Sequence, residues 1–164
     1  MQQLLATGII GMVGSRFLEM FKDKYKVANI DILSGVDITD KASVEKFVVD
    51  HPAGALIHPA AFTDTNKAWE EKGDTEGICY KVNVVGTKNL AEVCAYHGIH
   101  LIHISTDFVF DGTKEGPYIE DDATAPLEWY GETKSIAEEV VKDSGVSYTI
   151  VRIAYPYRAS FDNK

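Results

Sequence analysis

The chain has 164 residues, 45% of them hydrophobic and 25% charged, which suits one soluble domain around a single buried core. Its 16 basic against 25 acidic residues give a net charge of −9, which repels nucleic acid and anionic membrane and disfavours both as partners. No apolar run reaches the ~20 residues of a membrane span. Residues 1–7 lack the basic region and cleavage site of a secretory leader, so the expected location is cytoplasmic.

Short apolar runs alternate with amphipathic stretches, the pattern of βαβ units in an α/β, Rossmann-like, doubly wound parallel sheet. A strand over 3–7 runs into Thr7-Gly8-Ile9-Ile10-Gly11-Met12-Val13-Gly14, and a helix over 12–22 follows. Glycines so spaced allow a tight turn, close approach of backbone to a pyrophosphate and close packing of helix on strand. The first N–H groups of the helix then face the phosphates. Gly8, Ile10, Gly11, Met12, Val13 and Gly14 are therefore candidate cofactor contacts, although a purely structural turn has the same pattern. Arg16 either approaches a phosphate or stays solvated.

A second strand, 26–30, leads to Asp31, twenty residues beyond Gly11. A carboxylate there accepts the adenosine ribose hydroxyls and repels a 2′-phosphate, which favours NAD(H) over NADP(H). A solvated strand-end aspartate is the alternative. Asp37 stands where a carboxylate either meets the adenine amino group or makes a local turn.

Asp40 caps a predicted helix over 41–50, a strand over 55–58 comes next, and Gly98 stops a helix over 75–97. Trp69 and the run Glu70-Glu71-Lys72 read as the end of a surface helix. Cys79 and Cys94 fall on the 75–97 helix about 22 Å apart, beyond the ~7 Å of a disulfide. They read as two small buried residues in a reducing compartment. A strand over 100–105 brings Ser105-Thr106 to the C-terminal edge of the sheet, where open α/β sheets bind ligands. His97, His100 and His103 imitate a metal cluster, but a spacing of three on a strand sends side chains to opposite faces, so no metal is expected. Residues 107–125, rich in Gly, Pro and acidic groups, form a loop long enough to suggest function.

A helix over 127–143 and a strand over 147–152 complete the predicted elements. On that helix Tyr130 and Lys134 stand one turn apart on one face. A nearby ammonium lowers a phenol's pKa from ~10, and a phenol so tuned can protonate an alkoxide. The lysine's remaining donors can hold a ribose. Of the eight tyrosines, Tyr130 alone has a lysine four positions on, though a surface pair would have the same spacing.

Together these residues resemble the extended short-chain dehydrogenase/reductase family, and within it the dTDP-4-dehydrorhamnose reductases, over almost the whole chain. The glycine turn is similar to the family's cofactor turn. Ile57-His58-Pro59-Ala60-Ala61-Phe62-Thr63 resembles the segment lying along the cofactor, and Asn83-Val84-Val85-Gly86-Thr87-Lys88-Asn89-Leu90 resembles its NVxGTxNL helix. Ser105-Thr106-Asp107-Phe108-Val109-Phe110-Asp111-Gly112 resembles the reductases' STDYVFDG signature, and Trp129-Tyr130-Gly131-Glu132-Thr133-Lys134 their catalytic helix. The resemblance implies a catalytic Thr106, Tyr130 and Lys134. It adds Ala60, Ala61, Thr63 and Asn83 to the cofactor contacts, which also include Tyr130 and Lys134, and implies substrate contacts at Thr106, Asp107 and Phe108.

Phe108 replaces a tyrosine, Pro59 replaces a small residue and removes a backbone donor, and Arg158 stands where glycine is common. Family members continue into a substrate-binding lobe, so residues 1–164 are expected to be the NAD(P)-binding domain alone. The implied reaction is NAD(P)H-dependent reduction of the 4-keto group of a nucleotide-linked deoxysugar. A sugar-nucleotide epimerase or dehydratase is a second reading, and a non-catalytic regulatory protein that keeps the fold a third. Val82, Val85, Val93, Ile136 and Val140 offer apolar faces for a homodimer through helices 75–97 and 127–143, and equally for packing on the sheet.

Overall fold

The computed structural model describes residues 1–157, so Arg158 lies outside the described residues. β1 (Gln2–Thr7), β2 (Tyr25–Ile30), β3 (Ala55–His58), β4 (His100–Thr106) and β5 (Tyr148–Ile153) pair in parallel in the order β2-β1-β3-β4-β5. The helices are α1 (Met12–Phe21), α2 (Lys41–Asp50), α3 (Thr65–Glu70), α4 (Ile78–Tyr80), α5 (Thr87–His97) and α6 (Trp129–Asp143). The chain steps from β1 outward to β2, then crosses back to β3. Right-handed crossovers therefore put α1 on one face of the sheet and α2, α5 and α6 on the other.

The alternation of β1 divides two cores accordingly. Leu5 joins Val44, Val48, Leu90 and Leu101 beneath α2 and α5, whereas Leu4 and Ala6 pack with Ile9, Ile57, Phe17 and Leu18 beneath α1. The sheet is Rossmann-like and doubly wound. Its winding reverses between β1 and β3, and a crevice opens there above the strands' carboxyl ends.

Each predicted strand lies within one residue of its place. Asp40 caps α2 by accepting from Ala42 N, and Gly98 closes α5 at φ +66°. The region 75–97 departs from the predicted single α-helix. Its helix starts at Ile78 and passes through a π-helical turn, Lys81–Gly86, before α5. Gly86 runs so close to Ile38 that an added Cβ would stand 2.7 Å from its Cδ1. α3, capped by Asp64, ends at Glu70, where Trp69 and the charged run read as the end of a surface helix, and α6 begins two residues later than expected, after the extended Glu128.

Cys79 and Cys94 are buried and free. The three histidines of the apparent cluster part company: His97 approaches Glu45, His100 bonds Ser147 and Thr149, and His103 turns inward to Lys134. Arg16 pairs with Glu19 on the surface. No described helix is long and apolar enough to cross a membrane.

Candidate active site

The crevice holds about 700 Å³ and begins at the glycine turn. Gly11 N donates to Gly8 O at 3.1 Å to close the turn, and α1 starts with no side-chain cap and no acidic residue in its first turn. The N–H groups of Met12 and Val13 at the start of α1 are thus left for a ligand. Gly8 has φ +53°, and a Cβ on it would stand 2.7 Å from the backbone of Ala60. A Cβ on Gly14 would collide with Gly8 O. The glycines make a cradle in which backbone approaches whatever is bound, and this cradle fits a pyrophosphate.

At the far end of β2, Asp31 lines the crevice while its Oδ1 accepts from Leu33 N at 2.9 Å. Asp37 also lines it, and its Oδ1 makes a local turn with Thr39 N and Oγ1, both at 2.8 Å. Each carboxylate thus spends one oxygen on backbone. Asn89, inside the NVxGTxNL segment, donates to Ile38 O and Thr39 O and so fixes this wall from α5.

Ala60, Ala61 and Thr63 line the opposite wall with Pro59. A directed line of hydrogen bonds holds that segment. Thr87 donates to Asn83 O at 2.6 Å, so its oxygen accepts from His58 Nε2, and His58 Nδ1 must then accept from Thr7. Thr7 Oγ1 in turn accepts from Ala60 N at 3.2 Å. His58 is neutral in this arrangement. Burial, and then the charge of Lys134, lower its pKa to about 3.

Asn83, expected to touch the cofactor, does not line the crevice. It is 1% exposed, takes Phe62 N on its Oδ1 and donates to Phe62 O and Thr133 Oγ1. It shapes the wall from behind and ties that wall to α6.

Thr106, Tyr130 and Lys134 meet at the other end of the same crevice, with Asp107 and Phe108 beside them. Thr106 Oγ1 donates to Asp107 Oδ1 at 3.1 Å and accepts from Phe108 N, and the Phe108 ring meets Tyr130 edge-on at 5.7 Å. Gly131 lets α6 start flush against Phe108 O, which a Cβ would strike. Lys134 is 2% exposed, and its Nζ donates to Ile104 O at 2.8 Å and His103 Nε2 at 3.3 Å. Burial pushes its pKa down to about 8, against an opposing pull from Glu138.

The expected lowering of Tyr130 by this lysine is not realised. Burial raises the phenol, the neighbouring Thr106 hydroxyl draws it back, and the charge of Asp107 adds to the rise. The physical reason is burial, which disfavours the charged phenolate more than its neighbours favour it.

One turn beyond Lys134, Glu138 is fully buried and joins three elements. It accepts from Ser105 at 2.6 Å and from Arg152 Nε and Nη2 at 2.9 and 2.7 Å. Burial alone would raise this carboxyl, but the bonds to Arg152 and Ser105 hold it below its ordinary value. Arg152 also donates to Glu120 O and lies over Phe110, so β5 anchors the long loop.

A model of the RmlD substrate binding domain family matches residues 1–163. The chain belongs to this family. A dTDP-4-dehydrorhamnose reductase of Mycolicibacterium smegmatis is 37% identical over 158 residues, covering 96% of this chain and 46% of the relative. The crystal structure of a dTDP-4-dehydrorhamnose reductase from Clostridium acetobutylicum superposes with TM-score 0.88 at 34% identity, covering 97% of this chain and 55% of that one. The enzyme of the same name from Bacillus anthracis, solved in complex with NADP, superposes at 0.86 with 30% identity, covering 95% and 54%. The chain spans about half the length of the curated relatives it matches.

Several groups that build the site of this RmlD-family chain carry weak signals in the sequence. His58 and His103 end or interrupt apolar strand runs, at positions the alternation assigns to the buried face. A polar residue there marks a buried hydrogen-bond partner. Glu138 continues the Tyr130–Lys134 face by one more turn, so its inward direction follows from helical spacing. Tyr155 carries no such signal. It lines the crevice at φ +41° and is the one non-glycine residue with positive φ among the described residues.

Proposed function

We propose that residues 1–164 form the nicotinamide-cofactor domain of a reductase acting on the 4-keto group of a nucleotide-linked deoxysugar. The observation that carries this is the convergence of Thr106, Tyr130 and Lys134 on the crevice that starts at the glycine turn. The names of the relatives supply the substrate class.

In this reading the N–H groups of Met12 and Val13 hold the pyrophosphate, with Gly8, Gly11 and Gly14 giving room and Ile10 flanking it. Asp31 takes the adenosine ribose, Asp37 faces the adenine, and Ala60, Ala61 and Thr63 lie along the cofactor. The carboxylate of Asp31 at the end of β2 favours NAD(H), while the NADP complex of the Bacillus anthracis relative keeps NADP(H) as the competing cofactor. A bound reduced nicotinamide supplies the hydride. Thr106 donates to the carbonyl oxygen, and Tyr130 protonates that oxygen as the alkoxide forms. Lys134 holds the ribose through the donor it turns to the crevice, and Asp107 and Phe108 border the sugar. A homodimer through the helical segment 78–97 and α6 belongs to the same proposal. It rests on half-buried Val85, Ile136 and Val140, because Val82 lines the crevice and Val93 is spent in the core.

The test is product analysis with a dTDP-4-keto-6-deoxysugar, using a polypeptide of the relatives' full length. Stoichiometric oxidation of NADH or NADPH with formation of the 4-hydroxy sugar is expected. Isomerisation or dehydration without net cofactor oxidation would point to the epimerase or dehydratase reading. No turnover despite cofactor binding would point to a regulatory protein.

The same assay has a defined pH response. Lys134, with its pKa lowered to about 8, keeps the charge that this role needs below that pH and loses it above. The rate should fall tenfold per unit on the alkaline side of about 8. The stability effect has the opposite sign. The unfolded lysine binds its proton up to a higher pH than the folded one, so this group's contribution to stability increases as pH rises above about 8.

A further inference from the structure

We infer that His103 is a positioning residue for Lys134, its neutral imidazole fixing one ammonium proton so that another is aimed into the crevice. This rests on the reading of Lys134 given above and assigns a role to a residue behind the site. An ammonium has three donors and no acceptor. Ile104 O takes one at 2.8 Å and His103 Nε2 a second at 3.3 Å. Lys134 still borders the crevice, so the third donor remains for a ligand there.

Because Lys134 can only donate, His103 Nε2 must be the bare nitrogen and Nδ1 must carry the proton. Nδ1 is buried without a hydrogen-bond partner among the described residues. An orphaned buried N–H is costly, and a histidine with no task at Nε2 would not need to hold it there. The ring is fully buried and lies 5.3 Å from that of His58. The directed bonds of His58 to Thr7 and Thr87 lock that second ring, so the wall behind Lys134 is continuous with the glycine turn.

Among the described residues, His103 is the one side chain to which the ammonium donates. On β3, His58 is neutral and already bonded at both nitrogens. On α6, Glu138 is occupied by Ser105 and Arg152. Arg152 of β5 is spent on Glu138 and on the loop, and Asp107 receives the Thr106 proton. Burial, then Lys134, then His58 hold His103 well below the ordinary histidine range, so it stays an acceptor across neutral pH.

The test uses this chain with isotope-labelled histidine and lysine and needs no turnover. Long-range ¹⁵N–¹H correlation of the unmutated protein should give the Nδ1–H tautomer for His103, and an Nε2–H tautomer overturns the inference. The Lys134 side chain, followed by NMR, should titrate near 8 in the unmutated chain. His103→Leu removes the acceptor and should lower that midpoint by about one unit, a tenfold change in proton affinity. His103→Gln, which offers an amide oxygen, should restore most of it. Equal midpoints in all three proteins, whatever their melting temperatures, contradict the inference. If the leucine variant does not fold, the tautomer and the glutamine variant still decide. Failure of the unmutated chain to bind NADH or NADPH would instead count against the cofactor reading, leaving the tautomer result to stand or fall separately.

Discussion

If the proposed reaction holds, replacing Tyr130 with Phe in a polypeptide of the relatives' full length is expected to lower turnover by about 10²–10⁴-fold while NADH affinity stays within about twofold. The change removes one hydroxyl and keeps the ring that Phe108 meets edge-on, so the local packing survives. That hydroxyl is the proton donor in the proposed reaction. No other phenol among the described residues lies beside Thr106 in the crevice except exposed Tyr155, which stands against Phe108 at 6.4 Å. The pyrophosphate cradle lies at the other end, so binding and turnover should separate. Steady-state kinetics with a fluorescence titration of NADH reads both. A variant that keeps its rate removes Tyr130 from the chemistry.

Gly14→Ala should act at the opposite end and in the opposite way. The added Cβ meets Gly8 O and stands 2.6 Å from Ile9 Cα, and both are backbone, which cannot swing aside as a side chain tip would. Helix α1 must back away from the turn, carrying the N–H groups of Met12 and Val13 with it. Overpacking of this kind costs about 1–3 kcal/mol, which for a chain of this size lowers the melting temperature by roughly 3–10 °C. Cofactor affinity should fall at least tenfold, on the order of a phosphate contact displaced from its donors. Thermal unfolding and NADH titration check the two effects. Unchanged affinity would mean that the phosphates do not sit on this turn.

The parts of this molecule legible in its sequence are those where local chemistry dictates residue type. The cradle needs glycine at 8, 11 and 14 because neighbouring backbone fills the space of a side chain. Gly98 follows from its left-handed φ, and Asp40 from the orphan N–H groups of α2. The strands follow from short apolar runs between helices. What stays hidden depends on partners distant in the chain. The π-helical turn at Lys81–Gly86 packs against Ile38 and holds Phe62 and Thr133 through Asn83. No local spacing predicts that Asn83 faces inward. Lys134 and His103 meet across 31 positions, a contact that no spacing along the chain reveals. The rise in the Tyr130 pKa comes from burial, which helical spacing does not reveal.

A crystal structure of this chain soaked with NADH or NADPH tests the central claim most directly. The nicotinamide ring should lie beside Thr106 and Tyr130, its ribose within hydrogen-bond reach (~3 Å) of Lys134 Nζ, and the pyrophosphate on the first turn of α1. A nicotinamide at the Asp31 end, or a cofactor that leaves Tyr130 and Lys134 untouched, would contradict it.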